Sequence, residues 1–573
     1  MRRLTEIVES YKKIKKFGPW IFLLFLLLPS FWWLLGSGYF IMHDDLQVMR
    51  LFQMEKCIRD LQIPCRWSPD MVYGYGQAMF NFYSAFPYYL GIIYKLLLGA
   101  TYIGSTKFLF AFSLIGAGVG MYLLAKEFWG YWGGIIAAVL YTYAPYHAVD
   151  IYVRGALAES FALGILPFVW LFIYKVIIKP SYQTIFLLAF SLFVLFTTHN
   201  ISMLIYAPFT VFWLFYWLKI TKNFKRMKQL VISGVLGFGL AAFFILPAIL
   251  EQNLVETKYL ITDYSEYSAH FVSLYQLFIS RLWSDGGSIF GTNDGMSFAV
   301  GLPHYLLIFI LTPLAIWWYL RKKKLWSLLI ILLVFFVFST FLAHQRSVFI
   351  WKVIPMMKFI QFPWRFLGPS IFFISFAGGA IGKINFVFKT PLVIIVTILT
   401  FLFNVKYFTP LRYSRLVIDS EKLSGLAFEL QQKGGYLDYL PKGVKVPPQA
   451  TAPFSPRFIK GKGEIKEYEK KTNKFGFNAS AYENSEIVLP IIYFPRWEIF
   501  VDGLRQEIMT DGAHNVIKID LKKGEHEVVG KFKNTPVRSF ANFLSFITFI
   551  LLISYYFCQK VIKRSAFSNF ILK

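Results

Sequence analysis

The sequence predicts a polytopic α-helical membrane protein carrying a small β-sandwich-like domain near its C-terminus. Three observations predict it. Apolar residues make up 56% of the chain and charged residues 16%, against roughly 25% charged in soluble domains. Apolar runs long enough to cross a bilayer recur through most of the 573 residues. Segment 405–538 breaks the pattern, being charged, turn-rich and free of long apolar runs.

The first spanning run is 21–40, IFLLFLLLPSFWWLLGSGYF. It is too long for the apolar stretch of a signal peptide, and no small-residue cleavage site follows it, so it is expected to stay as a membrane anchor. The net charge of +27 does not imply nucleic acid as a partner. Lys and Arg gather at the ends of apolar runs, at 2–16, 175/179, 219–228, 321–324, 383/389 and 560–564, as the positive-inside rule requires of cytoplasmic loops. Placing those clusters inside leaves 41–102, 147–158, 198–201, 251–298, 344–363 and 405–538 outside. The count closes at about twelve crossings of the cytoplasmic membrane, both termini cytoplasmic, if 85–101 is a re-entrant or interfacial helix. The predicted division is a multi-span module over 1–404, an extracytoplasmic β-rich domain over 405–538, and a last span with a basic tail over 539–573. Few ionisable residues fall inside the apolar runs, which favours chemistry at the outer interface over transport through the bilayer.

Candidate functional residues therefore lie in the outer loops. His43-Asp44-Asp45 stands where the first span exits, at the start of a stretch (43–62) that reads as an amphipathic helix lying flat on the membrane. The two acids are either caps of that helix or a base or metal-binding carboxylate above the bilayer. Cys57 and Cys65 share this loop; nothing else suggests a disulfide framework, so they are expected to be free. The run 66–84 interleaves aromatics, among them Tyr73 and Tyr75, with glycines, a pattern that suits either sugar stacking or an interfacial aromatic belt. The second loop brings His147, Asp150, Arg154 and Glu159; Asp150 and Arg154 at i,i+4 also suit a plain ion pair. His199 ends another span, and His270 sits in the long loop 251–298 with a Gly/Asp-rich turn. Arg346 and Arg365 form a rim suited to a lipid phosphate, Arg365 being equally readable as a snorkelling residue.

From 486 onward, IVLPIIYF, WEIFVDG, NVIKIDL and HEVVGKFK read as strands, with Asp502-Gly503 a hairpin turn. No nucleotide-binding glycine loop, nucleophile elbow or H-E-x-x-H is present.

The motifs H43-D44-D45-L46, R66-W67-S68-P69-D70, Y73-G74-Y75-G76 and N81-F82-Y83 resemble the start of a bacterial and archaeal membrane-protein family described as "6-pyruvoyl-tetrahydropterin synthase-related". The pterin activity is not implied, since those enzymes are small zinc proteins with clustered histidines and this chain has eight scattered ones. The arrangement of spans and first-loop acids resembles the GT-C glycosyltransferase superfamily. Y493-F494-P495-R496-W497, V501-D502-G503 and G524-E525-H526 are similar to the tail of membrane proteins implicated in lipoteichoic-acid glycosylation. The resemblance implies transfer of a sugar from a polyprenyl-phosphate donor to an extracytoplasmic acceptor, with inversion. It implies Asp44 or Asp45 as general base, Asp150 or Glu159 as a second-loop acid, and Arg154, Arg346 or Arg365 on the donor phosphate. Some members use a divalent metal; Mg2+ or Mn2+ here would fall to Asp44 and Asp45. The competing expectations are a lipid-linked glycan transporter or flippase, and a non-catalytic envelope-assembly protein.

Overall fold

The computed structural model describes residues 2–571 except 290, 292, 385–388, 434 and 436, with side chains described for 17–554 apart from those, 389–390 and 433. Thr292 of the Gly/Asp-rich turn and the side chains of 560–564 thus lie outside the described residues. The chain is mainly helical: α1 (Arg2–Leu35), α2 (Gln47–Arg59), α3 (Phe86–Leu98), α4 (Tyr102–Thr142), α5 (Leu157–Ile178), α6 (Tyr182–Phe196), α7 (Asn200–Thr221) and α8 (Met227–Leu250) are followed by α9 (Leu302–Leu320), α10 (Trp326–Ala343), α11 (Leu367–Gly378), α12 (Lys389–Asn404) and α13 (Pro536–Ile571). Among the described residues nine helices are long and apolar enough to cross a membrane, and 86–98, 182–196 and 391–407 are shorter apolar helices. This is a polytopic membrane protein.

Helix α4 is two limbs joined at Gly130, whose φ of 78° only glycine adopts freely. The limbs run back on each other: a Cβ on Gly118 would meet Thr142 Oγ1 at 2.7 Å, and one on Gly134 would meet the Tyr122 ring. The segment 363–383 is buried over 94% of its length, whereas 17–35 and 536–554 are buried over 28% and 22%. The first is the hub of the bundle; the other two turn most of their apolar surface outward, as lipid-facing helices do.

Prolines inside these helices free the carbonyl four residues back, and in a bilayer that carbonyl needs another donor. Tyr141 Oη donates to the Leu163 carbonyl at 2.9 Å, opposite Pro167. Arg66 Nη2 donates to the Phe243 carbonyl at 2.7 Å, opposite Pro247. Arg66 also reaches Asn81 and Asn542, while Asn81 and Arg538 both donate to Glu251 Oε2. One buried polar knot therefore fastens the first loop to α8 and α13.

The loops 36–101, 143–156, 197–199, 251–301, 344–362 and 405–440 meet at one end of the bundle. His43 and Asp44 donate through their backbone N–H to Val153 and Arg154 carbonyls, Ala85 to Thr197, Val272 to Ala343, and Ile41 to Arg412. Strand β1 (Tyr39–Phe40) pairs with β2 (Tyr413–Ser414). Helix α3 has both ends at this pole: the Phe86 N–H donates to Thr197, and Asp419 caps the neighbouring start of α4 through Tyr102 and Ile103 N–H. At about 20 Å from its 13 residues, it lies along the bundle end.

Beyond 456 the chain forms two antiparallel sheets. Strands β3 (Arg457–Lys460), β6 (Ser485–Ile492), β10 (Val516–Leu521) and β9 (Met509–Thr510) form one; β4 (Gly463–Lys470), β5 (Lys474–Ala481), β11 (Gly524–Phe532), β7 (Trp497–Val501) and β8 (Leu504–Gln506) the other. Alternate residues of both, such as Phe477 and Ile499 against Ile487 and Ile519, share one core. Trp67 of the first loop plugs that core, its ring 5.6 Å from Trp497 and 5.4 Å from Phe532. Gly76 must be glycine because a Cβ would meet the Trp67 ring at 2.5 Å.

Three sequence expectations are corrected. Cys57 and Cys65 form a disulfide, because the turn after α2 returns the chain against its last helical turn. Helix α2 does not lie flat on a membrane surface with a free polar face: Gln47, Arg50, Gln53 and Glu55 are as buried as its apolar stripe. Its N-cap is Leu46 without a side-chain bond, so neither Asp44 nor Asp45 caps it.

Two outcomes are expected. Without reductant, alkylation followed by intact-mass measurement should label one of the three cysteines, and reduction should expose two more. In the β-rich region His526 Nδ1 lies 2.7 Å from Asp502 Oδ2. Burial opposes the charging of His526, but the bonds to Asp502 and the Lys522 carbonyl outweigh it and raise its pKa, while that imidazole holds Asp502 below the usual carboxylate range. This contribution to stability is present in full below the ordinary histidine value of about 6.5 and is lost as pH rises through the raised one. On the acid side it lasts until pH falls from about 3.9 through the depressed Asp502 value. The unfolding-temperature gap between wild type and His526→Gln should accordingly be widest between those limits and close above them.

Candidate functional site

A cavity of about 1020 Å³ opens at the pole where the loops meet. Six of the sequence candidates line it: His43, Asp44, Arg154, Glu159, His199 and Arg365.

Its floor is a buried ion network. Val149–Val153 is a π-helical turn, and Gly155 after it has a φ of 65°, where a Cβ would strike Met42 Sδ. This irregular backbone turns Arg154 inward. Its Nη1 donates to Glu159 Oε2 at 2.9 Å and to Asp150 Oδ1, while Tyr146 Oη donates to Glu159 Oε1 at 2.5 Å. Arg365 Nε lies 3.4 Å from Glu159 Oε2, and its Nη1 donates to the Ile360 carbonyl and Gln361 Oε1 at 2.7 Å each. The Arg154 guanidinium stacks on Trp364 at 4.5 Å. Two arginines held this rigidly by a single shared glutamate are built to meet an anion in the cavity.

The wall beside this floor is acidic. The Asp44 backbone N–H donates to the Arg154 carbonyl at 2.8 Å, so Asp44 stands at the join of floor and wall. Arg50 Nη1 and Gln47 Nε2 both donate to Asp44 Oδ2, at 2.9 and 3.1 Å, which leaves Oδ1 for the cavity. Arg50 stacks on Tyr83 at 4.1 Å and donates to its hydroxyl. Asp438 completes the wall; burial pushes its carboxyl up to about 6, with Asp44 adding to the rise and Arg50 opposing it. His43 Nε2 donates to the Asp285 carbonyl at 2.8 Å, tying the long loop over the cavity. His199 Nδ1 faces Ser202, and burial pushes the imidazole down to about 3, so it serves as a neutral group.

Apolar side chains, among them Ile201, Leu204, Ile245, Ile249, Met356 and Phe359, and polar ones such as Asn200, Gln252 and Thr257 complete the lining. Ile249 and Met356 are also exposed. The cavity lining thus combines charged, polar and apolar side chains.

The other candidates lie elsewhere. Asp45 is taken by Lys422 and the Tyr39 hydroxyl, and burial raises its pKa. Asp150 sits beneath Arg154 with no surface exposed; burial and the neighbouring Glu159 raise its pKa well above the carboxylate range, so it supports the floor without meeting a ligand. His147 is buried against Tyr141, and burial pushes it down to about 3. His270 is buried between the Tyr264 carbonyl and Ser288 Oγ. Arg346 is exposed outside the cavity. Tyr73 and Tyr75 lie outside the cavity lining and offer their carbonyls to Ala452 and Ile492 N–H, so this part of the aromatic run docks the C-terminal region. A metal pair at Asp44 and Asp45 does not fit either, because Arg50 and Lys422 hold the two carboxylates apart in separate ion pairs. Among the described residues no three His, Cys, Asp or Glu side chains gather as metal ligands.

Sequence reasoning missed Arg50, Asp438 and Tyr439, while Tyr83 belongs to the aromatic run 66–84 that it singled out. Arg50 is six residues from Asp44, a spacing no helical pattern marks, and Asp438 comes from a turn far along the chain.

Glu159→Gln should weaken the floor: it leaves Arg154 and Arg365 without their shared counter-charge, at a cost of about 3 kcal/mol. The check is a lower unfolding temperature of the purified protein in detergent.

No family model matches this chain. Over 282 residues it is 22% identical to an uncharacterised protein of Lactococcus lactis subsp. cremoris, a match covering 47% of this chain and 45% of that relative. The chain thus spans under half the length of the relative it matches.

Proposed function

We propose that this protein is a membrane glycosyltransferase of the GT-C type, which moves a sugar from a polyprenyl-phosphate donor to an extracytoplasmic acceptor of the cell envelope. The observation that carries the reading is one cavity whose lining divides among two arginines, the carboxylate of Asp44 and a set of apolar side chains. A polyprenyl-phosphate sugar has that same division. Its phosphate fits Arg154 and Arg365, its isoprenoid the apolar side chains, and its anomeric carbon the region of Asp44.

The acceptor hydroxyl oxygen attacks the anomeric carbon as the bond from that carbon to the phosphate oxygen breaks. The electron pair leaves on the phosphate, which the arginines stabilise. The hydroxyl proton passes to Asp44 Oδ1, the oxygen that Arg50 and Gln47 leave free. Single displacement inverts the anomeric centre.

The matching topology is twelve crossings, formed by α1, the two limbs of α4, α5 to α10, the segment 363–383, α12 and α13. The basic clusters at the opposite ends of the helices then face the cytoplasm, with both termini, and the cavity faces outward.

Asp44→Asn should lower transfer by about 10²–10⁴-fold. The measurement is labelled sugar incorporated into the envelope of cells that hold the variant at wild-type levels in the membrane. Undiminished incorporation sinks the reading. Arg365→Gln should weaken polyprenyl-phosphate binding with the fold retained.

A further inference from the structure

The cavity holds a second carboxylate that the transfer step does not use. Asp438 reaches it from the segment between α12 and the β-rich region, and that segment is anchored at several points. Gln77 donates to the Asp438 carbonyl, Tyr439 stacks on Phe82 at 5.6 Å with the rings 17° apart, and Glu256 N–H donates to the Leu440 carbonyl at 2.7 Å. A Cβ on Gly435 would lie 3.8 Å from Asp438 Oδ2 and 3.9 Å from Arg50 Nη2, so this carboxylate and this guanidinium approach one spot. Asp44 and Asp438 thus flank a single arginine, and the wall carries one negative charge in excess.

A phosphate is repelled from such a wall and drawn to the arginine floor. Hydroxyl groups, by contrast, donate well to a carboxylate, and the Tyr83 and Tyr439 rings beside it supply faces for sugar C–H groups. Resting on the transferase reading above, we propose that Asp438 is an acceptor-binding residue: it accepts a hydrogen bond from one hydroxyl of the acceptor and so holds a neighbouring hydroxyl at Asp44. The acceptor is then a molecule with adjacent hydroxyls, a sugar or polyol end. The C-terminal region becomes part of the reaction site.

The test uses the full chain in phosphatidylglycerol–phosphatidylethanolamine vesicles. The donors are polyprenyl phosphates carrying labelled glucose, galactose or N-acetylglucosamine. Two products are measured: free sugar released to water when no acceptor is present, and sugar transferred to an envelope extract of the host. Asp438→Asn is expected to keep release within about threefold of wild type while transfer falls at least about tenfold, and Asp438→Glu should restore part of the transfer. Asp44→Asn should lose both. Equal loss of release and transfer in Asp438→Asn would show a merely structural role and overturn the inference, as would unchanged transfer. A wild-type protein that processes none of the donors would instead overturn the transferase reading itself, and this inference with it.

Discussion

One nitrogen, Arg154 Nη1, organises the end of the bundle where the loops meet. It serves Asp150 and Glu159 at once, and the second of these also takes Tyr146 and Arg365. Arg154, Glu159 and Arg365 are all buried, where an unpaired ion costs several kcal/mol. The network fixes three chain segments together: the π-turn, the start of α5 and the turn entering 363–383. The first loop then adds its backbone to this platform, pairing His43 and Asp44 with the carbonyls of Val153 and Arg154. The position of Asp44 is a consequence of how Arg154 is buried.

The same rule, that polar groups away from water need partners, explains the rest of the architecture. Two helix-interior prolines, Pro167 and Pro247, release carbonyls that Tyr141 and Arg66 answer. Arg66 does so as part of the knot with Asn81, Glu251, Arg538 and Asn542, which ties the membrane helices to the loop that carries Trp67. Trp67 in turn closes the core of the two sheets. The β-rich region is held against the first loop by packing and hydrogen bonds, and Asp438 and Tyr439 enter the cavity from the segment leading into it.

The helical bundle was legible because hydrophobic runs and flanking charges follow from bilayer physics and need no tertiary information. The strands from 486 onward were legible for a similar reason, since alternation and the Asp502-Gly503 turn are local, whereas β3, β4 and β5 were not read as strands. The site was only half legible. Asp44, Arg154, Glu159, His199 and Arg365 announced themselves as charged or polar residues at helix ends, and they do converge. Asp45, Asp150, His147 and His270 announced themselves in the same way and are structural. What separates Asp44 from Asp45 is that one faces Arg50 in a cavity and the other faces Lys422 under a loop, and neighbouring residues in a chain carry no trace of that.

The amino-acid order alone thus specifies a membrane-embedded helical protein with polar chemistry gathered at one pole and a β-rich segment before the last helix, since composition, run length and charge placement decide those. Packing assigns the rest. It pairs Cys57 with Cys65, buries the polar face of α2, turns the aromatic run 66–84 into a docking plug and brings Asp438 beside Arg50. Each of these depends on contacts between segments tens to hundreds of residues apart, where burial and partner choice, not local pattern, set the energy.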